Sequence, residues 1–337
     1  MGLTAAGAWL MALLAAAGSV LALAVLTRLA PWLPLDRPGS RSLHARPVSR
    51  VGGLAIWAGV LPVALLAPPA LPGNPAIWLL AWGLVAAISL ADDFRGVHPV
   101  YRLASQAAAA VAVAVQMAGG SAPAPALAPY LAIGGAALAV VWAANLYNFM
   151  DGSDGLAAAM GTCGFAAYGV AAWQAGAPAG AYFALAAATL PFFALNVPPA
   201  RMFMGDVGAV PLGFLAAALG LGGWRAGTWP AWFPVLVFLP FIADATVTLG
   251  RRAWRRERVW EAHKMHYYQR LHQLGAGHRG TLLVFGALIA GTDASALATL
   301  AIAPDAGWIV IAAWSGALAT LFGGIEYFWR QHIPNPR

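Results

Sequence analysis

The chain has 337 residues, of which 61% are hydrophobic and only 9% are charged, and its mean hydropathy is +0.71. Soluble domains carry about 25% charged residues, so this composition excludes an ordinary soluble protein. The formal net charge is +7. Because the basic residues are scattered between apolar runs, we expect them to contact anionic lipid head groups and predict no nucleic-acid partner.

Apolar runs long enough to cross a bilayer, which takes about 20 residues of helix, recur along the whole sequence. We therefore predict an all-α, polytopic integral membrane protein with about eleven transmembrane helices, forming a single domain over residues 1–337. The first run lacks Lys and Arg and is longer than a signal-peptide core, so we interpret it as a transmembrane helix. The predicted spans cover residues 3–26, 51–69, 76–91, 103–118, 129–147, 156–174, 179–196, 207–223, 231–249, 280–302 and 307–329.

The distribution of charge predicts how the chain is oriented in the membrane. If the connections between spans are assigned alternately to the two sides, every Lys and Arg except Arg225 falls on the same side. Because cytoplasmic loops carry an excess of basic residues, we predict that this side is cytoplasmic. The N-terminus would then lie outside, the C-terminus inside, and the polar motifs described below at the cytoplasmic face.

A polar stretch from Asn145 to Leu156 follows the fifth predicted span. It contains Asn148, Asp151 and Asp154 at intervals of three, so a helical continuation would present them on neighbouring faces. Only 12 residues of the chain are acidic, and acids beside membrane-length apolar sequence are costly, which favours a functional role. The alternative is structural: a helix end, a glycine turn and an aspartate cap on the next helix.

Further acidic residues lie at or inside predicted spans. Asp92 and Asp93 are adjacent at a helix C-terminus, where mutual repulsion and the helix dipole both disfavour them. A divalent cation, or a proton on one carboxylate that acts as a base, would relieve the repulsion, and a solvated helix end is the alternative. Asp206 lies just before the eighth predicted span, close to the aromatic Phe203. It could be a functional residue or simply the N-cap of the next helix. Asp244 is the remaining acid that we identify inside a span, with a positioning or a direct role.

Two basic cytoplasmic loops leave their functions open. The loop from Asp36 to Gly53 contains arginines, a histidine and a glycine pair that could cradle a phosphate or simply retain the loop in the cytoplasm. The loop from Arg251 to Arg279 contains His263, Lys264 and His266. These residues suit a diphosphate-binding patch or an amphipathic segment on anionic lipid better than they suit a zinc site.

Taken together, these motifs resemble those of the polyprenyl-phosphate N-acetylhexosamine-1-phosphate transferase superfamily, glycosyltransferase family 4. The resemblance covers nearly the whole chain and is strongest for the initiators of O-antigen and common antigen, to which the phospho-MurNAc-pentapeptide translocase is related. It is carried by Arg41 to His44, Arg50 to Gly53, Asp92-Asp93, Asn145 to Leu156, Phe203 to Asp206 and the loop with His263 and His266.

The resemblance implies an enzyme that transfers an N-acetylhexosamine 1-phosphate from a UDP-sugar to undecaprenyl phosphate and releases UMP. It also implies Mg2+ as the cofactor, with Mn2+ as a substitute, and a multi-pass position in the bacterial inner membrane with a cytoplasmic active site. The reaction would start lipid-linked synthesis of O-antigen or a related polysaccharide in lipopolysaccharide or cell-wall biogenesis. The implied partners are UDP-N-acetylhexosamine, undecaprenyl phosphate and membrane lipid, with a homodimer left open.

The resemblance assigns metal-binding and catalytic roles to individual residues. Asp206 would be the main Mg2+ ligand and Asn148 a second one. Asp151 would be an acid of the catalytic centre, and one of Asp92 and Asp93 would deprotonate the lipid phosphate. A metal would suit this reaction because two anionic substrates must approach one another.

The remaining assignments concern substrate contacts and the closing of the site. They are Asp154 at the uracil edge, Phe203 stacked on uracil, Arg102 near the diphosphate, Asn145 and Lys264 as further substrate-binding residues, and His263 and His266 as the catalytic histidines that close the site.

Two departures from the family pattern bear on the substrate. The last cytoplasmic loop reads His263-Lys264-Met265-His266 where the MurNAc-pentapeptide enzymes have three consecutive histidines, which argues against the peptidoglycan substrate. Ala209 stands where many relatives have serine. We predict an O-antigen-type initiator that uses GlcNAc, FucNAc or QuiNAc. The competing prediction is a membrane transporter of a polyprenyl-linked sugar or an ion-coupled solute, which would place acids at the bilayer midplane and show repeated halves.

Overall fold

A computed structural model describes residues 5–36, 43, 47–67, 71–119, 128–259, 261 and 263–332. Within these ranges the chain is almost entirely helical. The helices are α1 (Ala5–Leu29), α2 (Gly53–Leu66), α3 (Pro75–Arg95), α4 (Pro99–Ala118), α5 (Ala128–Phe149), α6 (Leu156–Gln174), α7 (Gly180–Asn196), α8 (Asp206–Arg225), α9 (Trp232–Val237), α10 (Leu239–Trp254), α11 (Tyr267–Leu271), α12 (Gly277–Ile302) and α13 (Gly307–His332). Two short strands, β1 (Leu35–Asp36) and β2 (Val48–Ser49), pair antiparallel with Leu35 opposite Ser49.

The predicted all-α, polytopic membrane architecture is confirmed. Among the described residues, seven helical segments are long and apolar enough to cross a membrane, and α2 and α7 are shorter apolar helices. The count of eleven spans, the orientation and the single-domain assignment stay predictions. One predicted span, residues 231–249, is instead two helices that meet at Phe238, because Pro240 at the start of α10 has no N–H to continue the hydrogen-bond ladder.

The helices are arranged around α6 and α8, which form the centre of the protein. In their apolar windows 72% and 78% of the residues are buried, against 17% in α1 and α13. Close crossing depends on glycine. A Cβ at Gly213 of α8 would lie 2.4 Å from the carbonyl oxygen of Ala143 in α5. Because lipid tails are as apolar as the helices, such close backbone packing is what holds membrane helices together.

A second close crossing joins α2 to α8 and places the end of the first basic loop, at Gly52 and Gly53, against the segment before α8. The N–H groups of Gly52 and Gly53 donate hydrogen bonds to the carbonyls of Phe203 and Met204, both at 2.9 Å. A Cβ at Gly53 would lie 2.3 Å from the Cα of Gly208. Both amides are therefore used within the protein, and the phosphate-cradle alternative is wrong for this glycine pair.

The rest of that alternative concerns the four arginines and the histidine of the loop. Arg37, Arg41, His44 and Arg46 lie outside the described part of the chain, whereas Arg50 lines the polar cavity described below.

The α2–α8 crossing predicts a large difference between two helical glycines. Gly53→Ala should lower the melting temperature of the detergent-purified protein, because overpacking a tight contact costs about 1–3 kcal/mol. Gly83→Ala is the matched control, since no atom lies within 4 Å of its added Cβ and alanine favours helix. Equal melting temperatures for the two variants would contradict the close crossing.

Candidate functional site

The site is built around the first turn of α8, which a carboxylate from α3 holds in place. The N–H groups of Asp206 and Val207 donate to the two carboxylate oxygens of Asp93, at 3.2 Å and 2.8 Å. Gly205 precedes the helix with φ +73°, and a Cβ there would lie 1.9 Å from the carbonyl oxygen of Arg50. Asp206 is the first residue of α8 and its own side chain caps nothing, so the N-cap alternative for Asp206 is wrong.

The neighbouring acid Asp92 is linked to Asp206 through an arginine. The guanidinium of Arg102 forms a short ion pair with Asp92 and a second one with Asp206 at 3.1 Å. The other oxygen of Asp92 accepts from the N–H of Val97 at 2.5 Å. The side chains of Asp92 and Asp93 are 12% and 3% exposed, so the solvated-helix-end alternative is wrong for this pair.

A polar cavity of about 340 Å³ opens beside Asp206. Five carboxylates face it, and Arg50 and His278 are its basic members. The lining residues are Asp36, Leu43, Arg50, Asp93, Asn148, Asp151, Gly152, Ser153, Asp154, Asn196, Phe203, Gly205, Asp206, Gln269 and His278. A smaller pocket on the other side of Asn148 and Asp206 contains Arg102 and Asn145. The structure thus brings together most of the residues that the sequence singled out.

Asp151 is the carboxylate of the cavity with the least compensation. In the part of the chain that the structure describes, no donor is hydrogen-bonded to its side chain. Burial raises the pKa of Asp151 well above its usual range, and the negative charges of Asp206, Asp93 and Asp154 raise it further. A cation placed among these four carboxylates would offset their mutual repulsion.

The donor set fits a hard divalent ion that keeps part of its shell. Asp206 and Asn148 offer carboxylate and amide oxygens, which Mg2+ and Mn2+ prefer. No three His, Cys, Asp or Glu side chains among the described residues are arranged to hold a metal ion by themselves. The remaining ligands would therefore be water and substrate phosphate, as is usual for Mg2+.

Asp154 lies in the same turn and is fixed by two neighbours. Its Oδ2 accepts from the N–H of Ala200 at 3.0 Å, and its Oδ1 lies 3.5 Å from Nδ1 of His278. Asp154 is 8% exposed. His278, Asn196 and Gln269 also line the cavity, although no motif in the sequence pointed to them. Asn196 and His278 are polar residues beside the ends of apolar runs, whereas Gln269 lies within the polar loop.

The two predicted catalytic histidines lie outside the cavity lining. His266 is buried, stacks on His263 with ring centroids 4.8 Å apart, and has Nδ1 at 3.3 Å from the Asp244 carboxylate. That carboxylate also accepts from the N–H groups of Tyr267 and Tyr268, both at 2.9 Å. The Asp244 carboxylate therefore caps the first turn of α11. Of the two roles predicted for Asp244, positioning or a direct part in the reaction, the structure supports positioning.

Lys264 also lies outside the lining, and its carbonyl oxygen accepts from the side chain of Gln273 at 3.1 Å. Its predicted contact with substrate, like the roles of His263 and His266, stays a prediction.

Two acids inside helices were missed when Asp244 was described as the remaining one. Asp293 in α12 is 7% exposed, and neither of its carboxylate oxygens has a hydrogen-bond partner among the described residues. Glu326 in α13 is paired with Arg251 at 2.9 Å and, through a short contact, with Arg270. Three acids therefore lie inside predicted spans, and not Asp244 alone. Neither Asp293 nor Glu326 lines the cavity.

Comparison with known proteins confirms the resemblance. Residues 75–223 match the family model described as Glycosyl transferase family 4. The decaprenyl-phosphate N-acetylglucosaminephosphotransferase of Mycolicibacterium smegmatis is 29% identical over 295 residues, covering 73% of this chain and 70% of the relative. The probable undecaprenyl-phosphate N-acetylglucosaminyl 1-phosphate transferase of Bacillus subtilis is 29% identical over 260 residues, covering 74% and 73%.

A similarity to a third relative is higher in identity but shorter. The phospho-N-acetylmuramoyl-pentapeptide-transferase of Enterococcus hirae is 44% identical over 79 residues, which is 23% of this chain and 25% of the relative.

The repulsion at Asp151 predicts that its neutral analogue is more stable without metal. Asp151→Asn should raise the melting temperature of protein in EDTA, by roughly 2 °C for each kcal/mol of relieved repulsion. Added Mg2+ should then stabilise wild type more than the variant. Asp305→Asn, at an exposed position, serves as the control, and a lower melting temperature for Asp151→Asn would contradict the repulsion.

His263 predicts a pH dependence of stability. Burial, and then the nearby His266 and Arg252, lower its pKa to about 3. Between that value and the ordinary value near 6.5, the unfolded state binds more protons, so the contribution of His263 is complete above about pH 6.5 and is lost as the pH falls. His263→Gln should therefore flatten the decline in melting temperature between pH 7 and pH 5, whereas His332→Gln on the exposed end of α13 should not.

Proposed function

Because residues 75–223 match the glycosyl transferase family 4 model, we propose that the chain is a membrane phosphotransferase. It transfers an N-acetylhexosamine 1-phosphate from a UDP-sugar to undecaprenyl phosphate and releases UMP. The observation that carries the proposal is the convergence of Asn148, Asp151, Asp154, Phe203 and Asp206 on one polar cavity, although they come from two segments separated by α6 and α7.

The charge of the cavity supports a metal-dependent reaction. A UDP-sugar is anionic, and the carboxylates that face the cavity would repel it. A divalent ion, Mg2+ or Mn2+, would be held by Asp206 and Asn148 and would supply charge neutralisation of the phosphates. Arg50 at the cavity and Arg102 in the adjoining pocket add positive charge on either side.

The geometry supports different tasks for the acids. Both oxygens of Asp93 accept backbone N–H groups, so Asp93 positions the first turn of α8. Asp92 is engaged by Val97 and Arg102 and orients that arginine. Asp151 lines the cavity with no hydrogen-bonded donor among the described residues, and its pKa is raised. A cation beside it would lower that pKa and leave Asp151 ionised as an acid of the catalytic centre. The role of Asp92 or Asp93 in deprotonating the lipid phosphate stays a prediction.

The two sides of Asp206 suggest where each substrate binds. Asp154 and Phe203 lie on the larger cavity, which has room for the nucleotide, and an aromatic ring such as that of Phe203 suits stacking on a base. Arg102 and Asn145 line the smaller pocket together with Val85 and Ile88 of α3. A charged head group with an apolar tail matches that combination, so the lipid phosphate would approach from this side.

The similarity pattern supports an initiator of surface polysaccharide rather than a peptidoglycan enzyme. The relatives that share most of the chain are named for N-acetylglucosamine, whereas the MurNAc-pentapeptide relative shares about a quarter of it. We propose that the transferred sugar is GlcNAc or a deoxy relative such as FucNAc or QuiNAc. The pathway that the reaction starts would make O-antigen or a related polysaccharide. The reaction would take place at the cytoplasmic face of the bacterial inner membrane. A homodimer stays a prediction.

The decisive experiment measures UMP release by detergent-purified protein. UMP should appear only when UDP-N-acetylhexosamine, undecaprenyl phosphate and Mg2+ are all present, because the two anions must meet at one metal centre. Asp206→Asn should reduce the rate to less than about a tenth, given that catalytic groups contribute typically 10²- to 10⁴-fold. Asp305→Asn should leave it unchanged. Folded protein that releases no UMP from any of the proposed donors would favour the transporter.

A further inference from the structure

His278, the second residue of α12, joins three separate parts of the chain at the wall of the cavity. Its Nδ1 lies 3.2 Å from the backbone nitrogen of Asp154 and 3.2 Å from the hydroxyl of Ser153. Its Nε2 lies 3.3 Å from the carbonyl oxygen of Leu43 in the first cytoplasmic loop. One imidazole therefore connects the acidic turn, the first loop and the start of α12.

The partners determine which nitrogen carries the proton. A backbone N–H can only donate, so Nδ1 must accept from Asp154. A carbonyl can only accept, so Nε2 must donate to Leu43. In these contacts Nδ1 is the acceptor and Nε2 the donor, and the Ser153 hydroxyl lies within hydrogen-bond distance of the same Nδ1. A side chain with one acceptor and one donor at this spacing is required, and most residue types cannot supply both.

The orientation of the His278 ring is supported by a neighbouring ring and by the turn before α12. The ring of His272 packs edge-on against it, with the centroids 4.4 Å apart. The turn that leads into α12 contains Gly275 at φ +103° and Gly277 at φ +60°, conformations that favour glycine. This turn directs His278 toward the cavity, since a regular helix through residues 272–278 would place it elsewhere.

We propose that His278 is a positioning residue for the donor nucleotide. It fixes the Asp154 turn, and it holds the first cytoplasmic loop at Leu43 against the nucleotide side of the cavity. The inference rests on the proposed function, in which Asp154 faces the uracil. His278 does not touch the reacting atoms, so it should affect the binding of the UDP-sugar and leave the chemical step and the lipid substrate almost unchanged.

The kinetic test compares His278→Ala with His278→Gln in the full-length protein. His278→Ala should raise KM for the UDP-sugar about tenfold, the loss expected for one or two hydrogen bonds. Its kcat and its KM for undecaprenyl phosphate should stay within about twofold of wild type. His278→Gln carries an acceptor and a donor in one amide and should recover most of the affinity. His332→Ala, an exposed histidine that bonds only within α13, should behave as wild type.

A second measurement does not require turnover. In a Cys163→Ser background, which removes the only native thiol, Leu43→Cys should react with a thiol reagent faster when His278 is alanine than when it is histidine or glutamine. Equal reaction rates in all three would overturn the contact with the first loop. A fall in kcat with an unchanged donor KM would overturn the positioning role.

The two measurements separate this inference from the proposed function. If no UDP-sugar gives UMP with wild type, the proposed function fails, while the labelling rates still report whether His278 holds the loop. If wild type turns over and His278→Ala matches it in donor KM, only the inference about His278 fails.

Discussion

The carboxylate of Asp93 at the start of α8 is the contact on which the site depends. A buried charge is costly unless it is compensated. Two backbone N–H groups and the positive end of the α8 dipole compensate this one, with Arg50 at 3.8 Å. Because the contact fixes the first turn of α8, it also fixes Asp206, and through Asp206 the arginine that bridges to Asp92. A single interaction between α3 and α8 therefore sets the geometry of both pockets.

The last basic loop, from Arg251 to Arg279, reaches the site because acids from the membrane helices hold it. Asp244 of α10 accepts the first two N–H groups of α11. Glu326 of α13 pairs with Arg251 and Arg270 on either side of the loop. With these ends held, Gln269 comes to line the cavity. Acids that seem equivalent in a sequence so poor in charge are thus divided between holding the structure and facing the substrates.

The sequence by itself determined the class of the protein and half of its site. Apolar runs of membrane length permit only helices in a bilayer, so the all-α architecture followed from composition and pattern. Asn148, Asp151 and Asp154 could be predicted together because they lie within seven consecutive residues of one polar stretch. Rare acids beside apolar sequence also identified Asp206, since a membrane protein keeps such residues only where they are compensated or functional.

Only the tertiary structure decided which of the other polar side chains reach the cavity. The motif in the last loop pointed to His263 and His266, yet His278 lines the cavity while His266 packs against Asp244 and His263 stacks on His266. Which histidine reaches the cavity depends on the turn at Gly275 and on Asp244, which caps α11. The second of these contacts joins residues that are far apart in the chain. Likewise, nothing local to Asp93 indicates that its partners are the amides of a helix more than 100 residues later, because only helix packing brings the two ends together.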